Sequence, residues 1–331
     1  MSCFPDSVVL EVQNPLLSFI IPVFNDEKNI DRCLHSIKNL VFPEKDYEVL
    51  VLDNGSTDGT IHILRELEVP FKVIAKVHVS VLRNNGARLS QGDFLAFVDS
   101  DVELSLYWAE HSLAAFHDPM VVATGCFPEV PGEATWVQQA WDIHQRGRQT
   151  ATSRPISWLP SMNLVVRRKD FWAVGGFNEQ LETAEDVDLC YRLSQRGTIL
   201  WSPTMKAIHW GEARDLVTFW RKEVWRGIGN FKGVLSHGFR WDELPSLGYP
   251  VWVIGLIVAL GIGSFIDLWR GQFIFSLLSL VFLLLPAFFL SVNTAWAARC
   301  PASVPPLFVL YLTYGLARAY SVVKVCLFNR K

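Results

Sequence analysis

Asp99 and Asp101 stand one serine apart at the end of a short apolar run, residues 94–98, which carries two aromatics and a β-branched residue. Such a run reads as a buried strand. A strand ending in Asp-x-Asp places two carboxylates at the edge of a sheet, where open α/β folds bind their ligands. Hard oxygen donors of that kind suit Mg²⁺ or Mn²⁺, held by one or two protein carboxylates with phosphate and water completing the shell. For a motif this short, an acidic turn without function is the plain alternative. A second acidic pair, Glu185-Asp186, precedes Val187, Leu189, Cys190 and Leu193 at helical spacing, so both acids fall at a helix N-terminus. Acids there complement the helix dipole by roughly 0.3–1 kcal/mol. A carboxylate beside a substrate hydroxyl can also act as a general base. Asp53 opens the polar run DNGSTDGT, where Asx side chains, Asp58 above all, cap turns. His209 is a lone histidine in KAIHWG; imidazole is an acceptable partner for Mn²⁺ beside carboxylates, although a lone histidine is more often structural.

These residues need a scaffold, and the chain supplies one with a regular alternation. Residues 16–24 (LLSFIIPVF) form a continuous apolar run of strand length, followed by Asn25-Asp26-Glu27 and then Ile30, Leu34 and Ile37 at helical spacing. Residues 47–52 (YEVLVL) predict a second strand that ends in Asp53, and residues 71–75 a third. Residues 83–90 predict a helix leading into the strand at 94–98. Strands alternating with short helices imply right-handed crossovers and a mostly parallel sheet. Three successive strands end in polar or acidic residues, and parallel strands present those ends on one edge, which favours a nucleotide-type cleft. Residues 161–168 and 198–201 read as further strands, with Gly175-Gly176-Phe177 as a turn between them. In the segment 131–160, Trp136, Trp141 and Trp158 stand among polar residues; they read either as core under a long loop or as an acceptor-facing surface, and large aromatics are mostly buried.

Four stretches, IIPVFNDEKNI, VLDNGSTDGT, RNNGARLSQGDFLAFVDSD and GGFNEQLETAEDVDLCYRL, follow one another in the order of the motifs of family-2 glycosyltransferases. The resemblance covers about residues 16–226. It implies a GT-A fold, a nucleotide-sugar donor, a divalent metal and inversion at the anomeric carbon. By the same resemblance, Pro22, Phe24 and Asp26 match the first strand-end motif, whose aromatic and acid contact the nucleoside, and Asp53 matches the first acid of the second motif. Where the family often has a second acid that bonds the base, this chain has Asn54, an amide that both donates and accepts. Arg83 matches an arginine beside the donor's nucleoside or phosphates; a solvated helix face is its other reading. Asp99 and Asp101 match the acids that hold the ribose and the metal, and His209 matches a metal ligand of some members. Asp186 matches the family's general base, with Glu185 orienting it or the acceptor. The Gln-x-x-Arg-Trp motif of some processive synthases does not occur near Arg221 and Arg226, which argues against a processive polysaccharide synthase.

The rest of the composition bounds the setting. The net charge of −3 offers no bulk attraction for nucleic acid. Six scattered cysteines without metal-ligand spacing read as reduced thiols. Residues 1–14 lack a basic start and a long apolar core, so no signal peptide is expected. From about Tyr249 the chain is mostly apolar. Residues 249–266 and 272–292 each approach the ~20 residues that cross a bilayer core, joined by the short link 267–271. A third apolar stretch, 306–328, carries Arg318 near its middle, at a cost of roughly 2.5–3.5 kcal/mol on insertion scales, and Lys324. The basic tail Asn329-Arg330-Lys331 prefers the cytosol. Two spans are therefore expected, with a third helix lying in the interface or packed against the hairpin, and a third span as the alternative.

The sequence thus predicts an α/β catalytic domain over residues 1–240 with its cleft in the cytosol, and a multi-pass anchor over 249–328. The activity expected is glycosyl transfer from a nucleoside-diphosphate sugar, a UDP-sugar first among them, to a glycan or lipid-linked acceptor at the cell membrane. A nucleotidyltransferase and a non-catalytic nucleotide-sugar-binding scaffold are the alternatives.

Overall fold

A computed structural model describes residues 15–146, 152–237 and 244–328. The N-terminal stretch 1–14 and the basic tail 329–331 lie outside the described residues. Two compact units emerge. The first comprises residues 1–131 and 150–211, the second residues 132–149 and 212–331.

The first unit is built on an eight-stranded sheet. Its strands are β1 (Leu17–Val23), β2 (Tyr47–Asp53), β3 (Phe71–Val73), β4 (Phe94–Val98), β6 (Val121–Gly125), β7 (Arg154–Pro155), β8 (Asn163–Arg167) and β9 (Thr198–Trp201). The order across the sheet is β3-β2-β1-β4-β8-β6-β9-β7. β1 is buried along its whole length because it pairs on both sides in parallel, with β2 and with β4, and parallel strands covered on both faces are apolar throughout. Its pairing with β4 stops at Ile20, before Pro22, which has no N–H to give a ladder. The sheet is not purely parallel: β8 runs antiparallel between β4 and β6. A two-stranded antiparallel ribbon, β5 (Val102–Leu104) with β10 (Ala207–His209), stands beside it.

Helices α1 (Ile30–Lys38), α2 (Thr60–Glu66), α3 (Val79–Leu89), α4 (Trp108–Ala114), α6 (Arg168–Ala173) and α7 (Glu185–Ser194) complete this unit. α1 shows how the sequence sets one such face: Ile30, Cys33, Leu34 and Ile37 are its buried residues, the i, i+3, i+4, i+7 stripe of an amphipathic helix. The core they close is continuous from Leu17 through Phe97 and Leu164 to Trp201.

The second unit contains α5 (Trp136–Arg146), α8 (Leu216–His237), α9 (Leu244–Arg270), α10 (Ile274–Ala297) and α11 (Val304–Phe328). Compactness thus divides the chain differently from composition, which suggested 240 as the boundary. The reason is a shared apolar cluster. Val137 and Ala140 of α5 and Phe219 of α8 bury themselves with Ala287, Ala295, Leu307, Leu310 and Tyr311. The segment that reads as a long loop with three tryptophans is therefore partly helix. Trp141 packs on His144 and Phe219 inside the second unit, Trp158 meets Phe127 edge-on in the first, and Trp136 is exposed.

Three helices, within Gly248–Arg270, Ile274–Ala297 and Pro301–Leu327, are long and apolar enough to cross a membrane. The turn between the first two is locked by Asp267, whose carboxylate accepts from the backbone N–H of Phe275 (3.2 Å) and Ser276 (2.7 Å) at the start of α10. Gly271, at φ +66°, closes α9 in the left-handed conformation that a helix C-terminus asks of glycine. Arg318 is buried too, and its charge is matched: Nη2 lies 2.8 Å from Glu223 of α8, a fully buried carboxylate that Arg226 also reaches at 2.6 Å. Glu223→Leu is expected to destabilise the protein by about 3–5 kcal/mol, since it strips Arg318 of this carboxylate inside the helix bundle. Adding Arg318→Leu should recover most of the loss. Thermal unfolding of the single and double variants in detergent micelles checks both, and equal midpoints for wild type and Glu223→Leu would contradict the assignment.

Candidate active site

A cleft of about 200 Å³ opens at the carboxyl ends of β1, β2 and β4, lined among others by Pro22, Phe24, Asn54, Leu82, Asp99 and Asp101. The parallel strands deliver these residues to one edge because all three point the same way. Phe24 is 56% exposed, a ring free to meet a flat ligand. The residue after it, Asn25, adopts φ +50°, a left-handed conformation that asparagine tolerates, and the chain turns there to bring Asp26 inward. Asp26 accepts hydrogen bonds from Ser100 Oγ (2.7 Å) and Asn29 Nδ2 (2.6 Å). Burial pushes its carboxyl above the ordinary range, against the lowering effect of those two bonds.

The polar turn after β2 is only partly spent on itself. Asp53 is fully buried. Its Oδ2 accepts from the N–H of Gly55 (2.8 Å) and Ser56 (2.9 Å), an Asx-turn. Its Oδ1 has no hydrogen-bond partner among the described residues. Asp58 accepts from the Thr60 N–H (3.0 Å) and hydroxyl (2.6 Å) in the turn that leads into α2, in line with its turn-capping reading. Asn54 uses its amide on the chain itself: Nδ2 donates to the Val77 carbonyl and Oδ1 accepts the Val77 N–H, both at 3.0 Å. An amide, which both donates and accepts, can serve both groups of one residue.

The two acids after β4 face different partners. Asp99 Oδ1 lies 2.7 Å from Arg83 Nη2, whereas Asp101 Oδ2 lies 3.2 Å from His209 Nε2. The β5–β10 ribbon makes the second contact, because its register sets His209 opposite Val102, next to Asp101. Among the described residues no three acidic, histidine or cysteine groups gather as a metal cluster. Asp99, named with Asp101 and His209 as a metal candidate, has one carboxylate oxygen on Arg83. A carboxylate and an imidazole alone suit Mg²⁺ or Mn²⁺ that takes its remaining ligands from phosphate and water.

Glu185 and Asp186 open α7. The residue before them, Ala184, sits at φ +61°, a conformation that costs a non-glycine residue energy and is retained where the surroundings over-determine it. Glu185 is held by Arg83 Nη1 at 2.7 Å. Asp186 is half-buried, and its Oδ1 accepts the N–H of the next residue, Val187, at 2.8 Å. Burial, and then the Glu185 charge beside it, push the Asp186 carboxyl up to about 7. A carboxyl poised there is suited to exchanging a proton near neutral pH.

Residues 18–175 match the family model described as glycosyl transferase family 2. This segment is a family 2 glycosyltransferase domain. Among proteins similar to the chain, the validoxylamine A glucosyltransferase of Streptomyces hygroscopicus subsp. limoneus is 30% identical over 234 residues, covering 60% of this chain and 51% of that one. The beta-monoglucosyldiacylglycerol synthase of Nostoc sp. is 29% identical over 194 residues, covering 54% and 41% respectively. The chain thus spans about half the length of the curated relatives it matches. The solved mannosyltransferase PcManGT from Pyrobaculum calidifontis, in complex with GDP-Man and Mn²⁺, superposes with a TM-score of 0.58 at 14% identity, over 99% of this chain and 92% of that one. At that identity the likeness speaks for the GT-A fold.

Two features of the site go beyond what the motifs gave. Arg83 lies on no solvated face: it is 3% exposed and joins Asp99 to Glu185. Gly211 is the other. A Cβ built there would fall 1.8 Å from Asp101 Oδ2 and 3.0 Å from His209 Nε2. The HWG triplet carried this signal, a glycine just after a candidate ligand, but only the fold puts it against Asp101. Gly211→Ala is expected to displace the Asp101 carboxylate and weaken Mn²⁺ binding by about 10–100-fold, the size of effect seen when a group supporting a metal ligand is lost. Thermal-shift titration with Mn²⁺ measures it; an unchanged midpoint concentration would show that the carboxylate accommodates the methyl group elsewhere.

Proposed function

We propose that the protein is a membrane-anchored inverting glycosyltransferase that moves a sugar from a nucleoside-diphosphate sugar, with a UDP-sugar first to test, to a hydroxyl of a lipid-linked or glycan acceptor. The observation that carries this reading is the pairing of an acid-edged cleft with a carboxyl, Asp186, poised to take a proton near neutral pH. Pro22 and Phe24 supply the surface for the nucleoside, and the buried Asp53 Oδ1 is an acceptor for an N–H of the base. Asp101 and His209 would hold the divalent cation, which when bound neutralises the diphosphate leaving group. Asp186 accepts the proton of the acceptor hydroxyl as that oxygen attacks the anomeric carbon from the face opposite the departing diphosphate, and configuration inverts. Mn²⁺ in the solved relative and the lipid product named for the Nostoc relative support the cofactor and acceptor classes.

For the anchor, the reading is two spans, α9 and α10, with α11 lying at one bilayer face and the catalytic domain in the cytosol. The ends of a two-span hairpin lie on one face, and α11 meets both of them at its middle. Tyr249, near the start of α9, stacks on Tyr314, and Thr294, near the end of α10, shares a 2.7 Å hydrogen bond with Tyr311. The paired Arg318 fits that level better than the bilayer centre. Single cysteines at positions 268 and 327, in an otherwise cysteine-free protein, should react with an impermeant maleimide from opposite sides of sealed vesicles; reaction from one side would refute the arrangement.

The test of the activity is a panel of nucleotide sugars incubated with purified protein and Mn²⁺. Free sugar or transferred sugar together with nucleoside diphosphate is the expected outcome. Release of inorganic diphosphate would instead indicate nucleotidyl transfer, and no turnover a binding scaffold.

A further inference from the structure

We propose that Arg83 is a positioning residue for the transfer step, which fixes Glu185 and the start of α7 against Asp99 from inside the fold, and that it does not bind the donor's phosphates. The inference rests on the glycosyltransferase reading above and concerns how its two halves are held together.

Arg83 points from α3 with each terminal nitrogen 2.7 Å from a different carboxylate, Nη1 from Glu185 and Nη2 from Asp99. A planar guanidinium can hold two acids in fixed directions at once; an ammonium, a compact point charge, cannot. The side chain is 3% exposed, and its guanidinium lies 5.5 Å from the centre of the Phe177 ring. A phosphate reaching it would have to displace a carboxylate from a 2.7 Å charged contact in a buried setting, which leaves that carboxylate uncompensated.

Its neighbours on α3 hold the same stretch of chain. Asn84 donates to the Phe177 carbonyl and accepts the Phe177 N–H, both at 2.9 Å. Ser80 Oγ reaches the Leu181 carbonyl at 3.4 Å, and Arg88 reaches Glu179 at 3.4 Å. Residues 80, 83, 84 and 88 share one helix face, so α3 acts as a rail along which residues 177–185 are laid. Arg83 is the point where the rail also meets the cleft. The left-handed Ala184 immediately before Glu185 shows that the chain is held into this path. Asp186, the next residue, inherits its position from that arrangement. The nearby guanidinium charge also opposes the burial and the Glu185 charge that raise its carboxyl.

The experiment compares wild type with Arg83→Lys and Glu185→Gln, in full-length protein, for kcat and for the affinities of UDP and of uridine. Lysine keeps the charge and loses the fork. A misplacement of the base by about 1 Å can cost ~10²-fold in rate, so both variants should lose ~10–10²-fold in kcat. UDP and uridine affinities should change by about the same factor, since Asp99 lines the cleft but no phosphate contact is lost. The double variant should be little worse than either single one, because both break the same bridge. A fall of ten-fold or more in UDP affinity with uridine unchanged in Arg83→Lys would make Arg83 a phosphate ligand and overturn the inference. So would additive losses, or a Glu185→Gln variant with wild-type kcat. Should Arg83→Lys fail to fold, Glu185→Gln decides by the same kcat criterion. A wild type that binds no nucleoside diphosphate refutes the donor reading itself, and the inference falls with it.

Discussion

Asp186→Asn is expected to slow glycosyl transfer by about 10²–10⁴-fold while leaving nucleoside-diphosphate affinity close to wild type, the range lost when a general base is removed. Asparagine keeps the shape and the acceptor oxygen for the Val187 N–H, so the start of α7 need not move, and only the capacity to take a proton disappears. The pH profile carries a second signature. The folded carboxyl titrates near 7, and the base works in its ionised form. In wild type kcat should therefore fall as pH drops through that value and level off above it; the variant should lack this limb. The same raised value has a sign for stability. The folded state holds the proton more tightly than the unfolded chain, in which an aspartate titrates near ~4. Stability contributed by this group is thus lost as pH rises between about 4 and 7. Asp186→Asn should be more stable than wild type at pH 8 and no different at low pH, as expected where activity is maintained at a cost in stability. Retained activity in the variant would move the base to Glu185, although Glu185 is already engaged by Arg83.

Asp101→Ala is expected to remove the metal dependence of donor binding. In wild type, Mn²⁺ or Mg²⁺ should tighten nucleoside-diphosphate binding. In the variant, affinities with and without metal should converge, and ordinary metal concentrations should not restore the difference. The loss should exceed the ~10–100-fold that follows removal of a group merely supporting a metal ligand. His209 alone then remains of the pair that stands 3.2 Å apart, and a single imidazole is a poor site for a hard cation that prefers oxygen. Asp101 also takes part in the ribbon through its backbone, whose carbonyl accepts the Trp210 N–H at 2.9 Å. Alanine leaves that bond intact, so a global loss of structure is not expected. Titration calorimetry with UDP in the presence and absence of Mn²⁺ reads the result, and equal metal dependence in variant and wild type would take Asp101 out of the metal site. His209→Ala should show a smaller loss of the same kind.

The sequence by itself determined the local elements and the strand ends. The strands at 17–23, 47–53 and 94–98 and the amphipathic α1 are legible because side-chain periodicity is a property of consecutive residues. The acids that follow β2 and β4 are placed by that periodicity alone, and the membrane helices by length and apolar content. Tertiary structure decided the rest, and in each case the deciding partner is distant in the chain. The antiparallel insertion of β8 beside β4 and the departure of α5 into the second unit depend on which apolar faces meet, which no local pattern encodes. Asn54 matches a base-contacting position, yet its amide is bound to Val77. Arg83 meets Glu185 across 102 residues, His209 meets Asp101 across 108, and Arg318 finds Glu223 across 95. A charged side chain reads in sequence as exposed or ligand-binding because an isolated buried charge is too costly to expect. Only the folded chain shows that Arg83 and Arg318 have each been brought to carboxylates, and that His209 stands against Asp101.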